Sequence, residues 1–268
     1  MARRWTKEEE KYYRDELVNL YYSKNLSMHE VAKVLNIKSA TVFDRLRRLR
    51  INTVPHLKKG YRNVRKDIRI PDCHDANLAE FFGIMLGDGH LSHFQVTVTL
   101  GTKEYVYVQY VKKLMEKIFK VPVKISERKF KRTDNKHYTV YFGSTVTSQW
   151  LKTEGLVENK VKNQVDVPKW IFENNIFMER FLRGFFDTDG SVYKLRHGIQ
   201  IGLTNRSLPM LKSLQLMLKT LEYRTSEISG FRLYITKKQD LKRFFKEIKP
   251  KNPKHTARFQ EYLNASVA

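Results

Sequence analysis

Apolar residues recur at helical spacing three times in the first fifty positions: Tyr13, Leu17, Leu20 and Tyr21; then Val31, Ala32 and Leu35; then Val42, Leu46 and Leu49. A helix of 3.6 residues per turn gathers each set on one face. The first predicted helix runs from Thr6 to Leu26, with Glu8, Glu9 and Glu10 in the first turn, where the helix dipole favours acids. Ser27-Met-His-Glu30 reads as a capping box opening the second, and Asn36 supplies a residue tolerant of the left-handed turn after it. The third starts after Lys38 with Ser39 as its cap, and Thr41, Asp44, Arg45, Arg47 and Arg48 lie off its buried stripe.

Further on, two segments share one pattern. Leu78-Ala-Glu-Phe-Phe-Gly83-Ile-Met-Leu-Gly87-Asp88-Gly89 and Arg180-Phe-Leu-Arg-Gly184-Phe-Phe-Asp187-Thr188-Asp189-Gly190 are both apolar helical runs ending in Asp-Gly. Period-2 strands follow each, Gln95 to Thr99 and Ile199 to Thr204, with Gly89 to Ser92 and Ser191 to Lys194 as short partner strands. Amphipathic helices are predicted over Tyr105 to Phe119 and Leu208 to Leu221. Hairpins come next, Val121 to Phe130 with His137 to Phe142, and Tyr223 to Ser229 with Phe231 to Thr236. Helices Thr145 to Thr153 and Lys238 to Ile248 close the copies. The order αββαββα occurs twice, which an internal duplication explains. The predicted class is α+β, divided into an all-α unit 1–52, a basic linker 53–75, and repeats 76–170 and 171–268.

Charge narrows the partners. The 268 residues hold 51 Lys+Arg against 28 Asp+Glu, a net charge of +23. Residues 1–70 carry +10 and residues 71–268 carry +13, so the excess is spread through both folded parts and fits a polyanion such as duplex DNA or RNA. The single cysteine, Cys73, excludes an intramolecular disulfide framework and a multi-cysteine zinc site. The start, Met-Ala-Arg-Arg-Trp5, does not read as a signal peptide, and the longest apolar stretches, such as Phe81 to Leu86, fall short of the ~18 residues a spanning helix needs. No membrane partner is expected, and the setting is intracellular, cytoplasmic with the nucleoid or organellar.

The chemistry lies at the motif ends. Gly83 with Gly87, and Gly184 with Thr188, put small residues one turn apart, so two helix backbones can approach and their carboxyl ends meet. Asp88 and Asp189 then sit side by side at helix ends already negative, an arrangement a divalent cation resolves. Oxygen ligands suit Mg²⁺, with Mn²⁺ an acceptable substitute, and Gly87 and Thr188 directly before the acids complete the expected metal set. His90 and His93 find no matching cysteine or histidine pair, which disfavours zinc.

These residues closely resemble the LAGLIDADG homing endonucleases in their single-chain, two-motif form, over about residues 76–263. The first motif departs from the family pattern in having Leu86 where the second has Asp187. The resemblance implies a pseudo-twofold fold with two antiparallel sheets forming a saddle over the DNA major groove. It implies Asp88 and Asp189 as metal-binding acids in a site-specific double-strand endonuclease, associated with mobile introns or inteins. It also implies basic residues near the centres: the candidates are Lys160, Lys162, Lys251 and Lys254, of which Lys162 and Lys254 are favoured. The amino-terminal spacing resembles a helix-turn-helix whose last helix, bearing Thr41, Arg45, Arg47 and Arg48, enters the major groove.

Outward strand positions are the expected DNA readers. They are Gln95, Thr97, Thr99, Lys124, Ser126, Arg128, His137, Thr139 and Tyr141 in the first repeat, and Gln200, Thr204, Arg224, Ser226, Arg232 and Tyr234 in the second. The two sets differ, which predicts an asymmetric target bound by a monomer. A non-cleaving transcription regulator of the same fold and an intron RNA maturase are the alternatives; basic composition does not separate them.

Overall fold

In the computed structural model, residues 6–24, 26–51, 68–129, 136–196 and 198–265 are described. Two compact units divide the chain, Met1–Val64 and Arg65–Ala268. Most of the basic linker expected at 53–75 lies outside the described residues, as does Phe130 at the end of one predicted strand.

The first unit is three short helices around one core. Helix α1 (Lys7–Val18) is opened by a reciprocal Thr6–Glu9 capping box and widens into a π-helical turn over Asn19–Ser23. Ser27 and Glu30 form the predicted box at α2 (Met28–Val34), and Asn36 takes the left-handed conformation with φ 50°. Helix α3 (Ser39–Arg48) differs at its start: Lys38 is the cap residue, no side chain caps the helix, and Ser39 is already helical. Leu17, Leu20, Tyr21, Val31, Ala32, Val42, Leu46, Leu49 and Ile51 are buried together, burial that stabilises helices too short to persist alone.

In the second unit the two motif runs are helices α4 (Ala76–Leu86) and α7 (Asn175–Asp189), capped by the Asp75 and Asn174 side chains. After α4 come β1 (Gly89–Leu91), β2 (Gln95–Gly101), α5 (Tyr105–Phe119), β3 (Lys124–Lys129), β4 (Lys136–Gly143) and α6 (Thr145–Thr153). The antiparallel sheet order is β1-β2-β4-β3. After α7 come β5 (Gly190–Leu195), β6 (Gly198–Thr204), α8 (Leu208–Thr220), β7 (Arg232–Ile235), α9 (Lys238–Glu247) and α10 (Pro253–Ala265), with sheet order β5-β6-β7. Helix α10 was not predicted; it buries Phe259, which stacks on Phe245.

The second sheet lacks the strand expected over Tyr223 to Ser229; an isolated bridge, Ser229 to Arg232, remains. Side chains explain the loss. The Ser226 hydroxyl accepts the Tyr234 N–H at 3.0 Å and the Arg224 N–H goes to Asp240 (3.2 Å), so that of the ladder only bonds such as Ser226 N–H to the Tyr234 carbonyl (2.8 Å) are left.

One apolar core joins both halves, with α4 and α7 at its centre. The inner faces of the sheets, Val96, Val98, Val140 and Phe142 in one and Ile201, Leu203, Leu233 and Ile235 in the other, are buried. Within this core Glu80 of α4 is 1% exposed and accepts from Tyr110, Arg180 (3.3 Å) and Arg183 (3.4 Å), so its charge is paired across the helix interface. Arg183 also donates to the Ile248 carbonyl at 2.6 Å. Among the described residues, no helix is long and apolar enough to cross a membrane.

Candidate active site

The motif helices meet where side chains are missing. A Cβ on Gly83 would lie 2.2 Å from the Phe181 carbonyl oxygen, and one on Gly184 would lie 2.1 Å from that of Glu80. Further along, a Cβ on Gly87 would fall 2.0 Å from Thr188 Oγ1 and 3.6 Å from the Asp189 carboxyl carbon. The glycine spacing therefore brings the carboxyl ends together, with the Asp189 carboxyl against the residue that precedes Asp88.

Burial raises the pKa of both acids. Asp88 is raised by desolvation and then by Glu104, against the opposing charges of Lys254 and Lys160. Desolvation followed by the Asp88 charge pushes Asp189 up to about 6, while Lys160, an Asn205 hydrogen bond (3.3 Å) and Lys254 oppose the rise. Among the described residues neither acid has a direct ion-pair partner, and Lys160 and Lys254 oppose their charges only from a distance.

The lysine nearest the first motif is Lys160, and Lys162 is not part of the cluster. Lys160 donates to the carbonyls of Met85 (3.0 Å), Leu86 (3.2 Å) and Gly87, the negative end of α4. Burial lowers its pKa, while Asp189 and Asp88 act the other way. Lys162 is exposed, without a hydrogen bond or ion pair among the described residues. The signal was in the sequence: Lys160 and Lys254 each stand six residues after the C-cap of α6 or α9, Glu154 and Ile248. The turn closed by Val165 N–H to Lys160 O (3.0 Å) faces Lys160 inward and leaves Lys162 outside.

Lys254 does join the site, but its ammonium is bound 2.6 Å from Glu104 Oε1. Asp187, fully buried, accepts the N–H groups of Lys251 (2.8 Å) and Asn252 (3.0 Å) and so ties this loop to α7. Thr188 turns its hydroxyl back to the carbonyls of Gly184 (3.1 Å) and Phe185 (3.0 Å) of its own helix.

On the first sheet the register aligns predicted readers in rows. Thr97, Tyr141 and Lys124 are opposed, as are Thr99, Thr139 and Ser126, and His137 opposes Arg128. Opposed residues of antiparallel strands share a face. Gln95 stands at the end of this face, opposite Gly143, while Thr139 is 7% exposed and offers little to a ligand. On the second sheet Gln200 faces Tyr193, and Thr204 faces the exposed Arg232. Gly202 lies between Tyr193 and Tyr234, whose rings would be 2.9 Å and 3.2 Å from a Cβ there. Two expected readers are otherwise engaged. Arg224 is paired with Asp240 at 2.8 Å, and Ser226 is bonded into the backbone of its own loop. In the first unit Arg45 lies over the Tyr13 ring, Arg48 pairs with Glu10 at 3.4 Å, Arg47 is exposed and Thr41 is half-buried.

A family model described as a LAGLIDADG-like domain matches residues 177–249, the part that begins in α7 and ends after α9. Residues 177–249 are thus similar to a LAGLIDADG-like domain. Over 149 residues the chain is 30% identical to the replication factor C small subunit of Methanocaldococcus jannaschii, covering 51% of this chain and 8% of that protein. Over 154 residues it is 25% identical to the glutamine–fructose-6-phosphate aminotransferase of the same organism, covering 56% of this chain and 13% of that one. The chain thus spans a small part of the length of these curated relatives. Among solved structures, the homing endonuclease I-DmoI in complex with DNA and Ca is similar with a TM-score of 0.45 and 16% identity, over 65% of this chain and 88% of that one. Full-length DUF199/WhiA is similar with a TM-score of 0.46 and 18% identity, over 67% of this chain and 57% of that one. The LAGLIDADG-like architecture, mixed helix and antiparallel sheet, is the one described above.

Proposed function

We propose that this protein is a site-specific double-strand DNA endonuclease that hydrolyses phosphodiester bonds with a divalent cation. The observation that carries the reading is the pair of half-buried acids, Asp88 and Asp189, held together by glycine contacts between two helix ends, with Lys160 and Lys254 in the same field. Among the described residues no cluster of three or more His, Cys, Asp or Glu forms a cage. Two carboxylates beside helix-end carbonyls instead fit Mg²⁺ or Mn²⁺, ions that keep water and take substrate phosphate as ligands. When bound, such an ion supplies water activation and charge stabilisation. Asp88 and Asp189 would hold it, and the two ammonium groups would stabilise the charge that builds on the phosphate.

Duplex DNA is the partner that a net charge of +23 and two polar strand faces support, with the three-helix unit extending the contact as a helix-turn-helix. The two faces differ in their side chains, which favours an asymmetric target and a monomeric enzyme working inside the cell. Similarity confined to 8% and 13% of two proteins with unrelated names supports residence in unrelated hosts, as a mobile intron- or intein-associated element would have.

The test is cleavage of a randomised duplex library with Mg²⁺ or Mn²⁺ by the wild type, Asp88→Asn and Asp189→Asn, each checked for folding and binding. One long asymmetric site, cut by the wild type and nicked or left whole by the variants, is expected. Specific binding without cutting by folded wild type would overturn the enzyme reading in favour of a regulator, and preference for structured RNA would favour a maturase.

A further inference from the structure

We infer that Glu104 is a positioning residue for Lys254, fixing its ammonium beside Asp88 and making the two centres unequal; the inference rests on the endonuclease reading. Glu104 stands where β2 turns into α5, and its side chain is 12% exposed. One carboxylate oxygen accepts from Lys254 Nζ (2.6 Å), in the first turn of α10, and from Asn252 Nδ2 (2.7 Å), in the loop after α9, both in the other repeat. The second oxygen accepts the Gly101 N–H at 2.7 Å, which holds the carboxylate in place from its own side. Burial alone would raise the Glu104 pKa, but the bonds from Lys254 and Asn252 outweigh it and leave the group below its ordinary range. The charge is therefore retained inside the site, close enough to Asp88 to raise its pKa.

Among the described residues no matching device serves the other lysine. The residue before α8 is Ser207, whose hydroxyl donates to the Val165 carbonyl at 2.6 Å, and Lys160 rests on helix-end carbonyls with no carboxylate as a direct partner. One centre thus combines Asp88 with a Glu104–Lys254 pair, and the other combines Asp189 with the neutral Asn205 amide. Removing the Glu104 charge frees Lys254 from one fixed position and changes one centre more than the other.

Two measurements on the full chain test this. The first needs no cleavage: acetylation of lysines by an N-hydroxysuccinimide ester, read by peptide mass spectrometry in wild type and Glu104→Gln. Lys254 is expected to react severalfold faster in the variant, while Lys162 is unchanged. The second is cutting of an end-labelled target, strand by strand, at saturating enzyme. Glu104→Gln is expected to slow by about tenfold the strand that Asp88→Asn also slows, a fraction of the ~10²–10⁴ that a positioned proton-transfer group contributes, with binding unchanged. Glu104→Asp, which keeps the charge one methylene shorter, is expected to fall between. Unchanged Lys254 reactivity, or equal slowing of both strands with weakened binding, would overturn the inference. Absence of cutting by the wild type would sink the endonuclease reading, and the labelling ratio would then decide the Glu104–Lys254 link by itself.

Discussion

Gly184→Ala sets two effects of opposite sign against each other. In a free helix the change gains about 1 kcal/mol, because alanine loses less backbone entropy than glycine. Here the added carbon would stand 2.1 Å from the Glu80 carbonyl oxygen and 2.9 Å from the Ile84 nitrogen, atoms of the facing backbone that no side-chain rotation can move. Restoring a tolerable contact of about 3.2 Å requires the helices to part by roughly 1 Å at the crossing. Overpacking costs ~1–3 kcal/mol in an ordinary core, and parting also loosens the buried Glu80–Arg183 pair. A gross cost about 1 kcal/mol above that range, about 4 kcal/mol because the facing atoms are backbone and the ion pair is loosened as well, leaves a net loss of ~3 kcal/mol. For a unit of this size that lowers the melting temperature by roughly 6–12 °C. Gly83→Ala is expected to behave alike, and the double variant to lose less than the sum, since one separation relieves both clashes. Urea and thermal unfolding of the four proteins provide the assay. A midpoint unchanged or raised by Gly184→Ala would show that helix propensity wins and would refute the close crossing on which the site depends.

Three further outcomes follow from the site and the surface. A carboxyl with a raised folded-state pKa favours the fold while protonated, so the Asp189 contribution is present below about pH 4 and lost as pH rises through about 6. In chelator, Asp189→Asn should therefore gain stability over wild type between pH 4.5 and 7.5, by at most ~3 kcal/mol; a gap that does not widen with pH in urea titrations contradicts the burial argument. Lys160→Met should lower cleavage by at least about tenfold while Lys162→Met stays near wild type, and equal effects in a plasmid-nicking assay would return Lys162 to the site. Arg128→Ala and Arg232→Ala should each reduce the slope of log affinity against log salt by about one, whereas Arg224→Ala, whose partner is Asp240, should leave that slope unchanged; loss of slope in all three would mean that Arg224 leaves Asp240 to meet DNA.

The central helices were legible because their chemistry is local: glycines one turn apart and an Asp-Gly ending require no knowledge of distant partners. The capping boxes at Thr6 and Ser27 belong to the same class, with acceptor and donor three residues apart. The second sheet was less legible. Tyr223 to Ser229 has strand composition, yet the Ser226 hydroxyl takes the Tyr234 N–H and the Asp240 carboxylate takes the Arg224 N–H, so the ladder is only partly made. Lys160 and Lys162 are not separable by sequence position alone, because the end of the preceding helix sets the reach of the loop, and it is Lys160 that this reach brings to the carbonyls ending α4. Glu104 and Asp187 carried no signal in the chain, because their partners lie 148 and 64 residues away and only the fold brings them together.

The buried Glu80 and Arg183 also determine which halves recognise each other. In the alignment of motifs the residue matching Glu80 is Phe181, and the residue matching Arg183 is Phe82. Two copies of the first repeat, docked on themselves, would bury two glutamates with no guanidinium opposite, and two copies of the second would bury arginines with no acid. Each repeat has therefore become unfit to be its own mate. Severed between α6 and α7 and produced as two polypeptides, the repeats should find one another and ignore their twins, each completed only by the unlike half.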